Sequence, residues 1–268
     1  MPFFSASSLQ QAKKEFVPSA EWKCDATFDE VRHALGKSFC GTPQVDGEPN
    51  VTWMVGSTVN QKLAEQSASY VNSKEGLYTF IMSYVTNQAF REKGFILNKM
   101  TADQQIGATS ILVEIHQQGC FQKLREAWMD TCLVVRLALR REIPKIVLEK
   151  TAVDKELSRP IRARADHMLA LMRQCHKEYA PHLHWYVKAV GTNPDCQGQG
   201  FGSAIMRRMN ELADAHQRDL YLECGGEKNK NFYQKFGYQV VGAHLLNDPT
   251  GTEKPVQVYC MLRPYQRK

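Results

Sequence analysis

Apolar positions recur along this chain at two spacings, and where the spacing changes an element ends. From Thr27 onward, Phe28, Val31, Leu35 and Phe39 fall on one helical stripe, with Thr27 and Glu30 at capping-box spacing and Gly41-Thr42-Pro43 as the stop. Residues 60 to 92 carry a weaker helical pattern, and Gly94–Met100 and Ile106–Ile115 read as two short strands about a polar turn. Phe121, Leu124, Trp128, Cys132, Val135 and Leu139 then recur at helical spacing until Pro144 and predict a long helix with a core-facing stripe. A further helix begins near Ser158-Arg159-Pro160, shows Met168, Met172, Cys175 and Tyr179 on one face, and ends at Pro181.

The pattern sharpens in the last hundred residues. His184–Val190 reads as a strand, Gly200–His216 as a helix with the stripe Phe201, Ile205, Met209, Leu212 and His216, and Leu220–Cys224 as a strand. A short helix at Asn229–Phe236 follows, Gly237 sits where a left-handed cap is expected, and strands at Tyr238–Leu246 and Val256–Leu262 flank the turn Asn247-Asp248-Pro249-Thr250-Gly251. The strand-helix-strand crossover makes its two strands parallel and the closing hairpin adds antiparallel pairs, so the fold class is α/β (α+β) with a mixed sheet. No repeat or linker divides the 268 residues, which are read as one domain.

Composition narrows the classes. A hydrophobic share of 43% supplies a core, and no apolar run is long enough to cross a bilayer, so an unexported cytoplasmic protein without a membrane role is the simplest reading. A net charge of +6 without a basic run gives no reason to expect nucleic acid. The eight cysteines form no Cys-x-x-Cys pair and read as reduced thiols. Cys175, His176, His182 and His184 lack a second ligand pair at finger spacing, so they are read as structural residues and no metal is expected.

The segment richest in chemistry is Gln197-Gly198-Gln199-Gly200-Phe201-Gly202-Ser203, between a strand and a helix. The first turn of a helix presents amides without internal partners and the positive end of the helix dipole, and glycines keep side chains out of an anion's way. The spacing is neither that of a dinucleotide fold nor that of a nucleotide P-loop. It does match the Gln/Arg-x-x-Gly-x-Gly/Ala signature of the GCN5-related N-acetyltransferases (GNAT). His184-Trp185-Tyr186-Val187-Lys188-Ala189-Val190-Gly191-Thr192-Asn193-Pro194, Leu222-Glu223, Asn229-x-x-Phe232-Tyr233-x-x-x-Gly237-Tyr238 and the closing Met261-Leu262-Arg263 extend the likeness, which most resembles the branch containing puromycin N-acetyltransferase.

The resemblance implies a GNAT fold whose central sheet splays at the cofactor site, with residues 182–264 as an acetyl-coenzyme A core and residues 45–160 as a divergent acceptor side holding a helical insertion. It implies pantetheine contacts at Val190, Gly191, Thr192 and Asn229, and a pyrophosphate cradle from Gln197, Gly198, Gln199, Gly200, Phe201, Gly202 and Ser203. The implied reaction is direct attack of a small molecule's primary amine on the thioester in a ternary complex. Tyr233 stands at the position of the acid that serves the leaving thiolate. The usual carboxylate on the central strand is replaced by Tyr186, which leaves His184, Tyr186 and Glu223 as candidates for the base. Strand alternation puts His184, Tyr186, Lys188 and Val190 on one face. A protein or peptide acceptor, or a non-catalytic acyl-coenzyme A sensor, is the alternative; a monomer or a homodimer is expected.

Overall fold

A computed structural model describes residues 7–42, 47–65, 69–115, 132–149 and 151–267. The chain runs through helix α1 (Ser8–Glu15), strand β1 (Trp22–Lys23) and helices α2 (Phe28–Cys40), α3 (Pro49–Val55), α4 (Ser57–Glu65) and α5 (Lys74–Arg91) to strands β2 (Phe95–Met100) and β3 (Ile106–Ile115). Helices α6 (132–139), α7 (Lys145–Leu148) and α8 (Ala152–Tyr179) lead to strand β4 (His184–Thr192), helix α9 (Phe201–Ala215), strand β5 (Leu220–Gly225), helix α10 (Gly226–Gln234) and the hairpin β6 (Gln239–Leu246) and β7 (Val256–Arg263). The strands form one mixed sheet in the order β1-β2-β3-β4-β5-β7-β6. The β4–β5 pair is parallel, as the crossover through α9 requires, and β7 rather than β6 pairs with β5.

Each face of the sheet carries its own core. On one face Val31 and Leu35 of α2, Tyr78 and Met82 of α5, and Met168 of α8 close over Ile111 and Ala189. On the other, Ile205, Met206 and Met209 of α9 and Leu9 of α1 cover Phe95, Leu112, Trp185 and Leu222. The capping box at Thr27 and Glu30 forms, and α2 starts there. Gly191 is held against α2, where an added Cβ would lie 2.9 Å from Ser38 Cβ, so its small size sets how closely that helix approaches β4. Among the described residues no helix is long and apolar enough to cross a membrane.

Two helices depart from the sequence expectation. Phe121, Leu124 and Trp128 lie outside the described residues, and in α6 the expected stripe is displaced: Val135 and Leu139 are 53% and 81% exposed, while Leu133 and Leu137 pack on Phe28 and Phe80. The direction in which α2 and α5 present those two rings, not the local spacing, decides which face is buried. Helix α8 begins before Ser158, at a capping box between Thr151 and Asp154, and continues through Pro160.

Candidate active site

Strands β4 and β5 pair only at Trp185 with Leu220 and Tyr186 with Tyr221, then diverge. Beyond Tyr186, β4 stays paired to β3 as far as Thr192, so its opposite backbone edge faces a gap where a neighbouring strand would lie. That gap is part of a cleft of about 2530 Å³ lined by Val190, Gly191, Thr192, Gln197, Gly198, Gly200, Phe201, Gly202, Ser203, Asn229 and Tyr233.

At the mouth of the gap the glycine loop turns into α9. The Gln197 and Gln199 amides donate to the Pro194 and Cys196 carbonyls, and Ala204 closes the first helical turn on Gly200. The amides of Gly198, Gly200, Phe201, Gly202 and Ser203 have no backbone acceptor among the described residues, and the cap residue Gly200 supplies no side chain to them. Gly198 and Gly200 adopt φ of 76° and 83°, and a Cβ on either would project into open space. The sequence reading gave all seven loop residues one role; the structure engages Gln197 and Gln199 in the preceding turn, and Gln199 does not line the cleft. The remaining five amides stand at the positive end of the dipole of a fifteen-residue helix, a geometry suited to an anion.

A register shift in the β3–β4 ladder corrects the alternation along β4. Leu112 pairs with Val187 and Ile111 with Ala189, so Lys188 is the extra residue. Past it the faces exchange: Ala189 joins the core that Tyr186 packs on, and Val190 lies with Trp185 and Val187 on the other face. Val190 therefore does not share a face with Tyr186. Asn229 lies inside α10, whose cap is Gly225, because that helix begins at Gly226; Asn229 does not cap it.

The polar centre lies where the two strands part. The Tyr186 hydroxyl donates to Glu223 Oε2 at 2.8 Å, and His176 Nδ1 stands 3.8 Å from Glu223 Oε1. The Glu223 side chain is 1% exposed, and burial raises its carboxyl to about 7 against the opposing effect of the Tyr186 hydroxyl. His184 Nδ1 meets the His182 carbonyl at 2.6 Å, and its Nε2 meets His176 Nε2 at 2.8 Å. A carbonyl only accepts, so Nδ1 of His184 carries the proton; neutral His184 then accepts at Nε2 from His176, which leaves the lone pair of His176 Nδ1 turned toward Glu223. Burial depresses both imidazoles, that of His176 to about 4, which keeps the pair neutral at pH 7.

Of the four acid–base candidates, Glu223, Tyr186 and Tyr233 line the cleft, whereas His184 is buried behind His176. Tyr233 packs edge-on to Phe232 with ring centroids 5.4 Å apart, and burial raises its hydroxyl well above the ordinary phenol value. Two cleft residues had no site role in the sequence reading, which took His176 as structural and passed over Glu48. His176 lies on α8 beside the stripe residue Cys175, and only the packing of α8 over the sheet brings it to Glu223. Glu48 caps α3 by accepting from the Val51 amide at 2.8 Å, and burial raises its carboxyl to about 7. A Glu-Pro pair before an apolar run was the available signal.

Residues 164–240, from α8 into β6, match the family model described as acetyltransferase (GNAT) domain. The fold resembles the crystal structure of histone acetyltransferase HPA2 and related acetyltransferase from Corynebacterium glutamicum, at 14% identity over 92% of this chain and 97% of that one, with a TM-score of 0.50. Arylalkylamine N-acetyltransferase 2 from Aedes aegypti aligns at 12% identity over 91% and 98%, with a TM-score of 0.49. The polyamine N-acetyltransferase of Drosophila melanogaster aligns at 12% identity over 91% and 98%, with a TM-score of 0.46. The domain match over residues 164–240 and the splayed sheet together give this chain the GNAT fold.

Proposed function

We propose that the chain transfers an acetyl group from acetyl-coenzyme A to the primary amine of a small molecule with an apolar body. The observation that carries the reading is the splay of β4 from β5 ending on five acceptor-free amides. An extended amide-bearing arm fits the unpaired edge of β4, and a pyrophosphate fits the cradle of Gly198, Gly200 and Phe201–Ser203. Both fit because the loop leaves open space where a Cβ on Gly198 or Gly200 would project. Asn229 and Thr192 line the same channel.

The acceptor side supports the small apolar amine. Phe80 and Tyr84 of α5, Ile146 of α7, and Met168 and Met172 of α8 line that part of the cleft, with Glu48 and Glu223 as its buried carboxylates. Such a wall favours an uncharged hydrocarbon or aromatic body, and the carboxylates favour an amine. In the reaction the amine nitrogen attacks the thioester carbonyl carbon, Glu223 takes the nitrogen's proton, and the carbon–sulfur bond breaks. The departing thiolate takes a proton from Tyr233, which solvent restores.

The test combines binding with turnover. Acetyl-coenzyme A at a hundred times its Kd stabilises a single-site protein by about 2.7 kcal/mol, an upward Tm shift that ATP does not produce here. Tyr233→Phe keeps that shift and loses thiol release with a panel of arylalkyl and alkyl primary amines. Absence of the shift in folded wild-type protein refutes the cofactor site; a retained rate in Tyr233→Phe refutes the role of Tyr233.

A further inference from the structure

On the side of α8 turned toward the closing hairpin, three metal-ligating side chains from three elements converge. Cys175 of α8, Cys260 of β7 and His244 of β6 place a thiol sulfur, a thiol sulfur and a ring nitrogen within 4.8 Å of one another. Both cysteines are 0% exposed. The ladder explains the convergence: Gly242 pairs with Cys260 and His244 with Val258, so His244 and Cys260 are diagonal neighbours on the same face of the sheet. Tyr179 lies one helical turn beyond Cys175, and its ring covers Gly242 so closely that a Cβ there would lie 2.4 Å away. The missing side chain at Gly242 thus lets α8 approach the hairpin, and the Tyr179 hydroxyl, 3.1 Å from His244 Nε2, fixes the imidazole.

We infer that Cys175, His244 and Cys260 bind a thiophilic divalent cation of the zinc class, at a site that abuts the acetyl-transfer cleft, since Cys260 pairs with Glu223 across β5 and β7. Zinc bonds of about 2.3 Å to sulfur and about 2.0 Å to nitrogen put tetrahedral ligands about 3.5–3.8 Å apart, so contraction by roughly 1 Å completes a three-ligand set, with water as the fourth ligand. Binding releases the two thiol protons, and two thiolates with one dication leave a buried centre of zero net charge. Helix α8 and the β6–β7 hairpin, distant from it in sequence, would then be clamped together by the cation. The chemistry is that of a Cys₂His donor set, which does not suit hard, oxygen-preferring cations such as magnesium and calcium.

The experiment uses the full chain, reduced and freed of metal, titrated with Co²⁺ and then Zn²⁺. The expected result is one equivalent of Co²⁺ giving a thiolate-to-cobalt charge-transfer band that Zn²⁺ displaces, together with a Zn²⁺-dependent rise in Tm that Mg²⁺ does not give. Cys175→Ser/Cys260→Ser loses the band and the rise while retaining the Tm shift with acetyl-coenzyme A. Should that double variant not fold, His244→Ala, which keeps both buried thiols, weakens Co²⁺ binding by at least about tenfold. No band in reduced wild-type protein, or a band of undiminished intensity in the double variant or undiminished affinity in His244→Ala, overturns the inference.

Discussion

Glu223 offers the sharpest test, because one substitution should move stability and catalysis in opposite directions. Its carboxyl rises from an ordinary value of about 4.3 to about 7 in the fold. A group that holds its proton more tightly when folded contributes stability that is complete below its unfolded pKa and is lost as pH rises through the folded one. Ionised Glu223 is therefore a cost to the fold, on the order of 3 kcal/mol at pH 8 and under about 1 kcal/mol at pH 5. Glu223→Gln keeps the shape and an acceptor for the Tyr186 hydroxyl without ionising. Urea unfolding should find the variant more stable than wild type at pH 8 by roughly that amount, with the gap mostly closed at pH 5. In the same variant kcat/KM for amine acetylation should fall about 10²- to 10⁴-fold, and the rising limb of the pH profile near 7 should disappear. A stability difference equal at both pH values would refute the burial argument, and an unchanged limb near pH 7 would refute the base.

Other consequences follow from named contacts. Gly202→Val meets Thr192 Oγ1, 2.9 Å from where its Cβ would lie, and should weaken acetyl-coenzyme A binding more than tenfold in calorimetry while the far-ultraviolet spectrum stays that of wild type. Asp248 is 1% exposed; burial raises its carboxyl, but the Thr250, Glu253 and Thr252 amides and the Thr250 hydroxyl outweigh that and hold it below the usual carboxylate range, with Arg164 3.5 Å away. Its contribution is present above about pH 4 and lost as pH falls, so Asp248→Ala should cost about 3–5 kcal/mol at pH 7 in denaturant unfolding and flatten the acid limb of the Tm–pH curve. Arg164→Met should cost a similar amount, since that buried guanidinium also donates to the Met54 and Val55 carbonyls; unchanged unfolding midpoints would count against the pairing.

The half of the fold built from local signals was readable and the half built from packing was not. The capping box at Thr27, the strands β2 and β3 and the order from β4 to β7 each rest on spacing or turn chemistry that acts within a few residues. Helix α3 has seven residues and α7 four, too short for a period to show. In α6 the period exists but its phase is set by Phe28 and Phe80 from elsewhere in the chain, so Leu133 and Leu137 are buried where Val135 and Leu139 were expected.

The site divides along the same line. The place of the glycine loop at the start of α9 was legible because three glycines before an amphipathic run have a local meaning, yet which of its amides are free depends on the turn at Pro194–Cys196. The extra residue at Lys188 carries no sequence mark, and it alone moves Val190 to the opposite face from Tyr186. The absence of a carboxylate from β4 is resolved by pairing across strands. Tyr186 and Tyr221 are the last partners before the splay, and Glu223, two residues on, points to the same side as Tyr221. The Tyr186 hydroxyl reaches Glu223 across the opening, so β4 meets a hydrogen-bonded carboxyl that belongs to its neighbour. In the proposed reaction the base is thus supplied by the place in the sheet rather than by the position in the sequence, and His176 reaches Glu223 only because α8 crosses above that point.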